Sequence, residues 1–421
     1  MKFKKTVLKN GLTIITAPMP ESLTVTVLTA VSAGSDYENE DNNGISHFLE
    51  HMCFKGTNKR NCSEINIELD SAGADSNAFT GNEYTGYYGK AHYKKLPILL
   101  DVVSDIYLNS QFPEDDIEKE RGVILEEINM YEDLPQRKVW DYLDELMYKG
   151  EAAGRTVLGP AENIKKITRE DFVNYKKDHY VAEGTTVIIA GKIDQKEVIK
   201  KAKELFKDIS TTKKVKRKKT KFSQKSPQVS INYKKTDQSH LLFGFKTFAG
   251  DDDRNPALSV LTTILGIGMS SRLFTEMRDK RGLCYYTHAN RVGYTDRGIL
   301  AISSGVGNDK LEESIEVIMN ECRKLCEEEV GPKELKKSKD LIIGKNAMSI
   351  EGSDDVAMYL GMSNVKFGEP KKMAEWNSKI KKVTSKDVKK MANLIFKNEK
   401  LNFAVIGPWK DDKKIKKFLN F

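Results

Sequence analysis

Apolar residues recur along this chain with two different spacings. Leu12 to Ala17, Thr24 to Val31 and Leu241 to Phe248 are short runs of alternating or continuous apolar character, the pattern of strands buried on one or both faces. Elsewhere Ile98, Leu99, Val102, Val103, Ile106 and Tyr107 return in steps of one and four, which predicts a helix with one stripe laid on a sheet. Leu311, Ile315, Val317, Ile318, Cys322 and Leu325 do the same in the second half. Both stripes are read as core packing. Strands and long helices mixed without regular βαβ spacing predict an α+β fold, each domain a mixed or antiparallel sheet packed with helices.

The two halves resemble each other. Ile164-Lys165-Lys166-Ile167-Thr168-Arg169-Glu170-Asp171-Phe172 aligns without gaps on Ile380-Lys381-Lys382-Val383-Thr384-Ser385-Lys386-Asp387-Val388, and in the same register Val187-Ile188-Ile189-Ala190-Gly191 meets Phe403-Ala404-Val405-Ile406-Gly407. A period of about 216 residues is too long for a solenoid and suits two homologous domains. The stretch from Ile209 to Pro227 is poor in large apolar residues and reads as a linker. The expected division is 1–208, a linker at 209–227, and 228–421.

Composition narrows the function. The chain has 421 residues, 31% of them charged, and a net charge of +8 in which 69 basic residues are interleaved with 61 acidic ones. Only Lys213 to Lys219 forms a basic cluster, and it has no aromatic partners for stacking, so it is read as solvated linker and no nucleic-acid partner is expected. No apolar run reaches the roughly 18–20 residues that span a bilayer, and no apolar segment follows the charges at the N-terminus. No membrane association is expected, and a cytoplasmic location is. Cys53, Cys62, Cys284, Cys322 and Cys326 are odd in number and lack CxxC spacing, which argues against disulfides and thiolate metal sites.

The chemistry is carried by Gly44-Ile45-Ser46-His47-Phe48-Leu49-Glu50-His51-Met52, which contains H-x-x-E-H. On a helix His47 and His51 share a face, about 5–6 Å apart at their β-carbons, as two imidazoles on one metal ion require. Glu50, one step round, can serve a metal-held water as general base without being a ligand. His92, His179, His240 and His288 have no such companions and are expected to pack or hydrogen-bond. A catalytic zinc takes three protein ligands, and the acidic helix expected from Asp115 to Tyr131 is the source for the third. There Glu120 and Glu127 stand seven apart, two turns with a drift of about 20°, while Glu126 points about 100° away. Spacing alone leaves open whether Glu120 and Glu127 face a cation or water.

H-x-x-E-H followed by Glu120-Arg121-Gly122-Val123-Ile124-Leu125-Glu126-Glu127 resembles the pitrilysin family of inverted-motif zinc peptidases, in particular the processing-peptidase-like members and their bacterial counterparts. The resemblance implies one Zn²⁺ per chain, with Glu127 as third ligand beside His47 and His51, and Glu120 as a carboxylate supporting a ligand. Ser76-Asn77-Ala78-Phe79-Thr80, with Glu83 and Thr85, is similar to the family's substrate-holding strand edge, which implies Asn77, Ala78 and Phe79 as peptide-binding residues. Gly268 to Phe274 is similar to the family's glycine-rich loop, although poorer in glycine, and the Arg/Tyr pair that follows carries over to Arg278 and Tyr285. These two are expected to steady the developing oxyanion or the peptide backbone. The implied activity is endopeptidase cleavage of unfolded peptides in a closed chamber. A chain of half the size of the large single-chain relatives implies a homodimer whose sites use both chains. The rival expectations are a catalytically silent scaffold, or the partner subunit of a heterodimeric processing peptidase.

Overall fold

The computed structural model describes residues 2–411 and 413–421; Met1 and Asp412 lie outside them. The expected strands form two sheets. The first joins β1 (Lys4–Val7), β2 (Thr13–Pro18), β3 (Thr24–Val31), β4 (Asp75–Thr80), β5 (Thr85–His92) and β6 (Thr185–Gly191) in the order β1-β2-β6-β3-β5-β4. The second joins β7 (Gln228–Tyr233), β8 (Gln238–Thr247), β9 (Cys284–Gly293), β10 (Gly298–Gly307) and β11 (Leu401–Gly407) in the order β7-β11-β8-β10-β9. In each sheet one neighbouring pair runs parallel, β2 with β6 and β7 with β11, and the other pairs are antiparallel. The α+β expectation holds.

The repeat is structural as well as sequential. The offset that carries Ile164 to Ile380 also carries β6 to β11, β2 to β7 and β3 to β8. The aligned Thr168 and Thr384 each accept from the backbone N–H of Asp171 and Asp387, whose carboxylates return to the threonine N–H, so the motif repeated in the sequence is a capping box opening the same helix twice.

Both faces of each sheet are covered, which is why β6 and β11 are apolar without alternation and buried throughout. On one face of the first sheet lies the stripe of the helix Leu96–Asn109. On the other, Val356, Ala357 and Leu360 of the helix Ser353–Phe367 pack on Ile15, Leu28, Ala30 and Ile188. The second sheet receives Val139, Leu143 and Met147 of the helix Pro135–Met147 against Leu242, Ile299, Ala404 and Ile406. At about 1.5–3 kcal/mol per buried aliphatic side chain, these three fix the helix where it lies. At Gly244 a Cβ would stand 2.8 Å from Leu143 Cδ2 and Met147 Sδ, so the helix approaches closer than any side chain there would permit.

The division expected at 209–227 is therefore corrected. The two compact units comprise 1–129, 155–218 and 347–371 in one, and 130–154, 219–346 and 372–421 in the other. Each half of the sequence lends one helix to the other unit's sheet, because an amphipathic stripe selects any apolar surface within reach of its connections. The lysine run also departs from expectation. Arg217 is nearly buried, 3.5 Å from Asp36 Oδ2 and 3.6 Å from Glu83 Oε1, and Lys214 is half-buried, so two of the run's cations are docked on the first unit. The five cysteines are free; only Cys53 and Cys322 are fully buried. Among the described residues no helix is long and apolar enough to cross a membrane.

Candidate metal centre

The helix Ile45–Met52 starts without a side-chain cap of its own. Gly44 precedes it at φ 104°, where a Cβ would lie 2.6 Å from Leu158 O, so the chain enters through a left-handed residue that only glycine fits. The orphan N–H groups are taken instead by Glu38, whose carboxylate accepts from Gly44 N at 2.8 Å, Ser46 N at 2.8 Å and Asn43 Nδ2 at 2.7 Å. A buried anion at a helix N-terminus also matches the helix dipole. Ile45, Phe48, Leu49 and Met52 are buried in the core, which fixes the rotation of the helix and turns His47, Glu50 and His51 to one side.

Facing them is the helix Glu114–Glu132, held by Ile117 and Ile124 in the core and by Arg121, which donates to the carbonyls of Ile164 and Ile167. Glu120 and Glu127 share a face, as the spacing requires, and that face is turned to the histidines, while Glu126 is exposed. Glu127 Oε2 stands 3.6 Å from His47 Nε2 and 3.8 Å from His51 Nε2, and the ligand atoms of these three residues all lie within 4.8 Å of one another. Zinc with ligands at roughly 2.0–2.1 Å would set them roughly 3.3–3.4 Å apart in a tetrahedron. The donor set fits a tetrahedral cation and leaves a fourth position open.

The protonation state of His47 agrees with that fit. Burial, with the nearby charge of His51, brings the His47 imidazole down to about 3, so it is neutral near pH 7 with a lone pair to give. Burial acts in the same direction on His51, but the hydrogen bond and charge of Glu120, with the charges of Glu50 and Glu127, outweigh it and raise its pKa. Glu120 Oε1 takes His51 Nδ1 at 2.8 Å, which places the proton on Nδ1 and frees Nε2 for the centre. Burial pushes the Glu120 carboxyl up, but the hydrogen bond from His51 and then that of Lys55 Nζ, 2.5 Å from Glu120 Oε2, outweigh it and lower its pKa on balance. Glu50 is buried, which raises its pKa; Thr80 Oγ1 donates to its Oε2 at 2.5 Å and partly offsets the shift. The carboxylates of Glu50, Glu120 and Glu127 against Lys55 make a field that favours a cation.

Thr80 ends β4, an edge strand of the first sheet, so the strand carrying Asn77, Ala78 and Phe79 leads directly to Glu50. Ala78 N–H donates to Asn77 Oδ1 at 2.8 Å, and Asn77 is exposed. Arg278 and Tyr285 are brought to each other in the second unit: Arg278 Nη1 donates to Tyr285 O at 2.9 Å and its guanidinium lies over the Phe274 and Tyr285 rings. Arg278 sits in a π-helical turn, Phe274–Asp279, and Tyr285 is 76% exposed. The metal group is assembled from the first unit alone.

Comparison with known proteins bears on this arrangement. Residues 13–161 match the family described as insulinase, peptidase family M16, and residues 166–342 match the peptidase M16 inactive domain. An uncharacterized zinc protease of Streptomyces coelicolor, SCO5738, is 32% identical over 414 residues, 97% of this chain and 90% of its own. The chain belongs to the M16 peptidase family. Its M16 relatives include an uncharacterized zinc protease of Bacillus subtilis, YmxG, 32% identical over 417 residues, 96% of this chain and 98% of that protein. The mouse mitochondrial-processing peptidase subunit beta is 31% identical over 415 residues, 96% and 84% of the two chains. A solved protease from Helicobacter pylori shares the fold, with a TM-score of 0.90 at 22% identity, covering 97% of this chain and 99% of that one.

The second M16 half has no counterpart of the metal group. The repeat offset carries His47, Glu50, His51 and Glu127 to Thr263, Gly266, Ile267 and Ile343, which offer no comparable ligand set. Sequence reasoning missed Glu38, Lys55 and the role of Thr80. Glu38 had one signal: a helix bearing metal ligands that opens on glycine needs an anchor from elsewhere.

Proposed function

We propose that this chain is a zinc-dependent endopeptidase that cleaves unfolded peptides, with one Zn²⁺ per chain held by His47, His51 and Glu127. The observation that carries the reading is the convergence of His47 Nε2, His51 Nε2 and Glu127 Oε2 beside Glu50, which lies apart from the ligand set. The relatives named zinc proteases support it. A zinc ion bound there supplies a Lewis acid and lowers the pKa of a water to about 7.

The chain's own residues do the rest. Glu50 Oε2 is engaged by Thr80, so Oε1 takes the proton of the attacking water and returns it to the leaving amine. The raised pKa of Glu50 suits a base that must also act as acid. A peptide adds as a strand beside β4, its carbonyl displacing Asn77 Oδ1 from Ala78 N–H, which brings the scissile bond to Glu50. Arg278 and Tyr285 contribute a guanidinium fork and a phenol donor to the oxyanion or the peptide backbone. In this reading they act across a homodimer that encloses the peptide in the cytoplasm. Chelation should abolish peptide cleavage and zinc restore it; cleavage that survives verified metal loss would refute the reading. Mixing His51→Ala and Arg278→Ala chains should recover activity if sites are shared, and verified mixed dimers without recovery would exclude sharing.

The likeness to a protein named subunit beta supports a second reading, in which a different subunit is required. Its mark would be a zinc-loaded homodimer that is inactive until that subunit is added.

A further inference from the structure

Away from the metal group, the first unit holds a concavity of about 540 Å³. Its walls are the chain from Tyr107 to Phe112, one face of the helix Arg169–His179, and Leu205 with Asp208 to Ser210. Three cations line it: Arg169, Lys176 and Lys177. Among the described residues none of them has a carboxylate oxygen within 4.0 Å. Asp208 is the only acidic lining residue; its side chain is 89% exposed and lies 4.0 Å from Lys207. Asp105, the buried acid whose charge acts on Lys176, is already taken by Arg60 and Thr57.

Two of the three cations, Lys176 and Arg169, are held in place. Lys176 Nζ donates to Leu108 O at 3.1 Å and Ser110 Oγ at 2.6 Å, which uses two of an ammonium's three donors. Arg169 donates through Nε to Phe112 O at 3.1 Å and through Nη2 to Gln111 O at 3.2 Å, leaving Nη1 unused. Among the described residues Phe112 is the one non-glycine residue with positive φ, 54°, an uncommon conformation that persists when its surroundings over-determine it. Here the Arg169 bond to its carbonyl and Lys176 over its ring, at 5.5 Å, do so. Neutral acceptors satisfy the geometry of these cations but not their charge, and burial lowers the pKa of Lys176 accordingly. A group bearing two negative charges would complete them.

We infer that this cavity binds a small phosphate ester. Its volume falls within the roughly 300–1,000 Å³ of small-molecule sites, larger than a bare phosphate needs, and the half-buried Leu205 and exposed Val173 offer an apolar wall to the carrier. The site is separate from the proposed peptidase machinery and does not depend on it.

The test is isothermal titration of the full chain at low salt with inorganic phosphate and with adenosine 5′-monophosphate. Both should bind, the nucleotide more tightly. Lys177→Gln, which removes an exposed head without touching the fold, and Arg169→Gln should each weaken binding about tenfold, the value of one charge-assisted contact. No binding of either probe to the wild type, or equal binding by the wild type and both variants, overturns the inference. So does sedimentation with phosphatidic-acid vesicles that the nucleotide fails to displace, which would assign the cations to a lipid headgroup.

Discussion

Replacing Glu38 by alanine should damage the metal centre without touching a ligand. Glu38 is buried, and three hydrogen bonds run to its carboxylate, two from the backbone at the start of the histidine helix. Bonds to a charged acceptor contribute about 1.5–3 kcal/mol each. Part of that is offset by the cost of burying the charge, which raises the pKa of Glu38 above its ordinary value, burial outweighing the bonds. A net loss of about 3–5 kcal/mol is expected, since the donors stay buried when the acceptor goes. Tryptophan fluorescence is a poor reporter, because Trp140, Trp376 and Trp409 all belong to the second unit. Cys53, fully buried at the C-terminal end of the histidine helix, reports directly. Its alkylation rate, mapped by mass spectrometry, should rise at least a hundredfold in Glu38→Ala, and zinc content at fixed free zinc should fall. Unchanged Cys53 protection with unchanged zinc would refute the assignment of Glu38 as the helix anchor.

Other expectations follow from the same geometry. Glu120→Gln, which weakens the acceptor fixing the His51 tautomer, should lower zinc affinity about 10–100-fold in competition with a chelator while the fold melts nearly as before. His179 is buried, stacked on Tyr175 and edge-on to Tyr37, and burial lowers its pKa from 6.5 to about 4. The unfolded chain therefore binds its proton first, and stability present above pH 6.5 is lost as pH falls through about 4, by about 3 kcal/mol in all. Denaturant midpoints of His179→Phe should be flatter over that window; identical slopes would remove His179 as the cause. Arg217→Gln should cost about 2–4 kcal/mol by removing the cation between Asp36 and Glu83, measured by urea unfolding, whereas neutralising the exposed Lys218 should cost under about 0.5 kcal/mol.

Much of this was legible in the chain, for reasons that can be named. The spacing of His47 and His51 dictates a shared helix face, and the spacing of Glu120 and Glu127 dictates another; the structure brings the two faces together. Thr24 to Val31 forms the strand its apolar run predicts, residue for residue. The exchange of the helices Pro135–Met147 and Ser353–Phe367 was not legible, because an apolar stripe specifies which face is buried but not which sheet buries it. Nor was the docking of Arg217, whose acidic partners sit far away in sequence. Glu38 escaped because its work is done through space, on a helix that begins beyond it.

The most direct test of the peptidase assignment is digestion of a mixed library of unfolded peptides by the zinc-loaded wild type and by Glu50→Gln, with products read by mass spectrometry. Zinc content of the two should be equal, since Glu50 stands outside the ligand set. The account predicts that the wild type cleaves and Glu50→Gln loses at least about 10²–10⁴-fold of the rate. Near-normal turnover by Glu50→Gln would contradict it.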